Sequence, residues 1–105
     1  MEKLEKMSYY IALTKSNSNN KKEIKLVRVV GYVSKDEIYM HRTKIGNINV
    51  WSVDDIDTGR YICFASTREK ALTKYRSQYA SKMIKLKKQK KYKTLMIDQD
   101  CKYVD

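Results

Sequence analysis

The chain is 105 residues long, with 42% hydrophobic and 33% charged side chains and a formal net charge of +11. That length holds one domain whose folding buries roughly two-thirds of the unfolded surface, enough for a modest core and too little for a core plus a deep substrate cavity. Globular composition, three glycines and no proline exclude a disordered chain and long flexible linkers.

Residues 1–7 read as a short helical turn or arm, with Leu4 and Met7 able to touch the core. They lack the apolar stretch of a secretory leader, and no run in the chain approaches the length of a membrane span, so the expected compartment is cytoplasmic. Ser8–Lys15 and Ile24–Val33 are rich in aromatic and β-branched residues and flank the polar loop Ser16–Lys22, which predicts a first hairpin. Glu37–Ile45 and Ile48–Ile56 flank Gly46-Asn47, a two-residue turn suited to positive φ, which predicts a second. Asp57-Thr58-Gly59 turns the chain into a further strand, Arg60–Ala65, with Cys63 as a small core residue and Trp51 as a core anchor. Cys63 and Cys101 form neither a zinc pattern nor a disulfide framework.

Ser66 and Glu69 have capping-box spacing, and the helix they open is expected from about 67 to 89. At 100° per residue Leu72, Tyr75, Tyr79, Met83 and Leu86 make one narrow apolar stripe, while Lys70, Lys74, Lys85 and Lys88 fall opposite. Leu95–Ile97 adds a short edge strand before an acidic-leaning tail. The expected fold is therefore α+β: residues 1–105 form a single domain, a four- to five-stranded, mainly antiparallel sheet packed on one long C-terminal helix.

The charge is concentrated. Arg68–Lys93 contains eleven basic residues and one acid, Glu69, whereas the remainder is nearly balanced. Like charges at i,i+4 repel, so a face of uncompensated lysines costs stability unless it meets a polyanion. With eighteen lysines against five arginines, the chemistry favours the phosphate backbone over base edges. The expected nucleic-acid-binding residues are Lys70, Lys74, Arg76, Lys82, Lys85, Lys87, Lys88, Lys90, Lys91 and Lys93, with Tyr92 able to stack on an unpaired base. Tyr75 and Tyr79 read as core. Asp54, Asp55 and Asp57 read as turn chemistry and charge balance, and His41 is the sole histidine. No catalytic, metal-binding or cofactor motif surrounds these residues, so the expectation is a non-enzymatic binding protein.

Trp51–Ala71 (WSVDDIDTGRYICFASTREKA) loosely resembles the arm-binding N-terminal domain of tyrosine integrases, in which a three-stranded sheet precedes a helix opening on a similar phrase. In that family the sheet enters the major groove, whereas the sheet here is charge-balanced and the helix is basic. The small Lys-, Asn- and Tyr-rich chain also resembles, in type, accessory proteins of phages and plasmids, including anti-CRISPR and other anti-defence inhibitors. These resemblances imply as partners the DNA or RNA backbone or, alternatively, a nucleic acid–protein complex such as a host defence nuclease.

Overall fold

The strands are β1 (Glu5–Ser16), β2 (Lys22–Val33), β3 (Tyr39–Ile45), β4 (Ile48–Asp54), β5 (Tyr61–Ala65) and β6 (Lys102–Tyr103). They form one antiparallel sheet in the order β5-β4-β3-β2-β1-β6. The computed structural model describes residues 4–16, 19, 21–34 and 38–104, with 15 and 16 by backbone alone. Most of the Ser16–Lys22 loop, the Glu37 start of the third strand and residues 1–3 lie outside the described residues.

The expected α+β class holds, with three corrections. The sheet has six strands, because Lys102–Tyr103 pairs with Met7 and Ser8 of β1. Leu95–Ile97 is not a strand: the Ile97 amide donates instead to the Asp57 carbonyl at 2.9 Å. Glu5–Met7 is strand rather than helical turn, in register with Gly31–Val33. A partner strand supplies the backbone bonds that a seven-residue helix could not sustain alone.

The sheet is strongly curled. In a flat sheet β4 and β1 would lie three strand spacings apart, about 14 Å. Yet the Ala12 amide donates to the Gly59 carbonyl at 2.7 Å, in the turn after β4, and the Tyr9 hydroxyl reaches the Asp54 carboxylate at 2.7 Å. Gln99 completes the closure, bonding both the amide and the carbonyl of Tyr10 (2.7 and 2.8 Å) and the Ile56 carbonyl (3.0 Å). Gly59 has φ +70°, and a Cβ there would sit 2.8 Å from the Ala12 nitrogen, so this crossing needs glycine. The curl opens elsewhere: β3 pairs with β2 only at Gly31–Val33, leaving Lys22–Val30 without a strand on that side among the described residues.

Alternation divides the sheet into two faces. Met40, Val53 and Cys63 point outward and form the main core with Ile38 and the helical Ala71 and Leu72, while Leu4, Trp51, Tyr75 and Tyr79 pack around it. Tyr9, Ile11, His41, Ser52 and Asp54 occupy the concave side and are buried.

The helical segment begins one residue later than its capping-box spacing suggests. Thr67, not Ser66, is the N-cap, in extended conformation, and its Oγ1 accepts from the Lys70 amide at 3.1 Å. Both residues serve to turn the chain from β5 onto the outer face. The expected helix is interrupted once, by a π turn, and ends close to the expected residue 89. After α1 (Arg68–Lys74) comes a π-helical turn, Tyr75–Tyr79, in which the Ala80 amide bonds the Tyr75 carbonyl, and then α2 (Ala80–Lys87). Lys88 and Gln89 break the helix before α3 (Lys90–Thr94). Leu72, Tyr75, Tyr79 and Met83 keep their inward positions, but Leu86, near the end of α2, is 41% exposed.

Candidate polyanion-binding face

What positions the basic segment is an acidic turn. Between β4 and β5 the chain folds back on itself: the Gly59 amide bonds the Asp55 carbonyl (2.7 Å), and the Asp55 amide bonds the Arg60 carbonyl (2.8 Å). The Asp55 carboxylate accepts from Thr58 Oγ1 at 2.7 Å and from the Tyr92 hydroxyl at 2.6 Å, and Tyr92 also approaches Asp57 at 3.4 Å. Lys87 Nζ lies 3.9 Å from Asp55 and 3.8 Å from Asp57. α3 is thus tied to the turn by a buried phenol, and the end of α2 by a looser ion pair.

This arrangement overturns one expectation. Tyr92 is 5% exposed and directed inward, so it offers no ring face to a base. Burial, with the Asp55 hydrogen bond adding to it, pushes its hydroxyl well above the ordinary tyrosine range, so it stays a donor. Lysines on both sides gave Tyr92 a solvent-facing context in sequence, but the short α3 turns alternate sides of the chain in different directions.

The lysines do not all stand in one condition. Lys70, Lys85, Lys88, Lys90, Lys91 and Lys93 are exposed and form no ion pair with described residues. Lys82 is exposed and lies 5.6 Å from the Tyr79 ring centroid. Arg76 is exposed but already engaged. Lys74 is half-buried: its Nζ donates to the Phe64 carbonyl at 3.0 Å and sits 5.3 Å from the Phe64 ring centroid. Lys87 is partly committed to the acidic turn. Arg68, outside the expected set, lies over Tyr32 and Trp51 (4.6 and 5.7 Å to the centroids) and pins the start of α1 to the sheet.

The concave side carries a second polar cluster. Asp54 accepts from Tyr9 (2.7 Å), His41 Nδ1 (2.5 Å) and Ser52 Oγ (2.8 Å), all buried. Burial and the adjacent Asp54 hold the Tyr9 hydroxyl far above the ordinary tyrosine range. A carboxylate has no proton to give, so Nδ1 carries the hydrogen of this bond. Ser52 donates to the carboxylate and not to the imidazole, so the serine–imidazole contact of nucleophilic catalysis is absent from this cluster. Three donors on one carboxylate join β1, β3 and β4. Pairing of His41 with Ser52, and the two-residue step to Asp54, is the sequence signal that foretells this grouping once the β3–β4 register is known.

Beside the cluster is a cavity of about 230 Å³ lined by residues including Ile11, His41, Thr43, Lys44 and Tyr61. Among the described residues no three His, Cys, Asp or Glu side chains converge as a metal site, and no helix is long and apolar enough to cross a membrane. Comparison with known proteins finds no matching family model, curated protein or solved structure.

Proposed function

We propose that this protein is a non-enzymatic nucleic-acid-binding accessory protein, of the kind carried by phages and mobile elements, that engages the phosphate backbone through α1–α3. The observation that carries this reading is the set of six exposed lysines, Lys70, Lys85, Lys88, Lys90, Lys91 and Lys93, without acidic partners among the described residues. Mutual repulsion on a surface so arranged is relieved by a polyanion, whose condensed counterions are released on contact. The anchoring of α3 through Tyr92 supports the reading, since a fixed array loses less freedom on binding than a frayed tail.

Binding of random-sequence oligonucleotides across a salt series tests this. Neutralisation of roughly 4–8 phosphates gives a log–log slope of about −3 to −7. Absence of binding at low salt removes the reading.

A second reading rests on the open side of β2. Ile24, Leu26 and Val30 are exposed along β2, which β3 meets only at Gly31–Val33 among the described residues. Such an edge accepts an extended segment of another protein. This favours an anti-defence inhibitor acting on a nuclease or its nucleic acid–protein complex. Retained inhibition after the six lysines are changed to glutamine would favour that reading over direct phosphate binding.

A further inference from the structure

Chain position places Tyr61 and Phe64 three residues apart, which in a regular strand puts them on opposite faces. They are on the same face. The β4–β5 register runs Ser52↔Phe64, Val53↔Cys63, then Asp54↔Tyr61, so a bulge absorbs Ile62. Bulges at sheet edges re-aim side chains in this way. The two rings lie 6.3 Å apart between centroids with planes inclined by 33°, and they are 55% and 38% exposed on an edge strand.

Charge surrounds this aromatic pair. Lys74 caps Phe64 from α1 and stands one helical turn from Lys70, so the pair adjoins the basic face. On the other side Tyr61 borders the cavity lined by Lys44 and His41, whose Nδ1 is held by Asp54 and whose Nε2 has no hydrogen-bond partner among the described residues. Arg60 Nε is the sole buried side-chain polar atom without a partner among those residues, so His41 Nε2 is open to the cavity rather than sealed. A path therefore runs from lysines, over two exposed rings, to a cavity lined in part by polar side chains.

Resting on the phosphate-binding reading above, we propose that Tyr61 and Phe64 form a stacking platform for unpaired bases. The preferred ligand is then single-stranded nucleic acid, with its backbone along the exposed Lys70 and a base directed from Tyr61 toward the His41 cavity. A duplex cannot use this platform, because its base faces are stacked on one another. The platform is indifferent to base identity, since every base presents a π face.

The test compares three probes at one salt concentration by fluorescence anisotropy: an oligothymidine of about 16 nucleotides, an abasic strand of the same length and charge, and a duplex of that length. The oligothymidine should bind at least about 5-fold more tightly than the abasic strand, the lower end of what one stacked base contributes. Tyr61→Leu and Phe64→Leu should each remove that advantage while leaving duplex and abasic binding within about twofold. The abasic comparison needs no variant, so a failure of either leucine variant to fold leaves the test intact. Equal affinity for thymidine and abasic strands would overturn the platform; if lysine-to-glutamine changes still weakened both, the phosphate-binding reading would survive it. No binding of any probe would overturn both.

Discussion

The hydroxyl of Tyr92 donates to the buried carboxylate of Asp55 at 2.6 Å, joining the end of the most basic stretch of the chain to the turn between two strands. The same carboxylate takes the Thr58 hydroxyl and faces Lys87. One acidic side chain thereby sets where the last basic helix lies. Tyr92→Phe keeps the ring and removes only the donor. It should lower stability by about 1.5–3 kcal/mol, the range for a hydrogen bond to a charged group, measured by urea unfolding. Amide exchange at 90–94 should rise with it.

The lysines should separate into two groups on substitution. Lys88→Gln or Lys90→Gln is expected to flatten the salt slope by about 0.7–0.9 if that residue meets a phosphate, with stability within about 0.5 kcal/mol of the parent. Lys87→Gln should move the slope less, because its ammonium is shared with Asp55 and Asp57, and should change stability by no more than about 1 kcal/mol for a long contact from so exposed an ammonium. Equal slope changes for Lys87 and Lys88 would show that the acidic turn does not hold Lys87 in solution.

Stability should fall at alkaline pH. Tyr9 and Tyr92 both have hydroxyls raised above the ordinary value of 10.0 by burial and by their carboxylate partners. Above pH 10 the unfolded chain releases these two protons while the folded chain retains them. Folding stability is therefore fully present below that pH and declines as pH rises, by up to about 2.7 kcal/mol per pH unit for two groups. Thermal unfolding between about pH 9 and 11 should show the decline, and Tyr92→Phe should reduce its slope by up to about 1.4 kcal/mol per pH unit. Tyrosinate absorbance of the folded protein should account for fewer than its nine tyrosines until unfolding occurs.

Two glycines with similar backbone angles should respond differently to alanine. Gly46 has φ +61° in the β3–β4 turn with open space around its missing Cβ, so Gly46→Ala should cost about 1–2 kcal/mol from conformation alone. Gly59, at φ +70°, meets the backbone of β1, and Gly59→Ala should cost at least about 1–3 kcal/mol more. Equal costs in urea unfolding would show that the contact closing the sheet is loose.

Much of the strand content was legible from local pattern. β2 and the β3–β4 hairpin announce themselves through β-branched residues and Gly46-Asn47, and their ends fall near where those patterns stop. β6 was not legible: Lys102 and Tyr103 are ordinary tail residues that become a strand because Met7 and Ser8 present an open edge. The same limit applies to the candidate site. The concentration of charge in Arg68–Lys93 is a property of the sequence, but the inward direction of Tyr92 depends on Asp55, thirty-seven positions away. Tyr61 and Phe64 share a face only because of a bulge, and no residue at Ile62 signals it.

The bonds to Gln99, and that of the Val104 amide to the Lys6 carbonyl at 3.1 Å, also bear on the order of folding. β1 meets Gln99 across a separation of eighty-nine positions. Contacts so distant in sequence form slowly, because chain entropy must be lost before they contribute. Until then the β1–β2 ribbon stands with Ile24 and Leu26 exposed and β1's outer edge bare. Lys22, Lys25 and Arg28 are spaced along that ribbon, and charges so placed oppose edge-to-edge association.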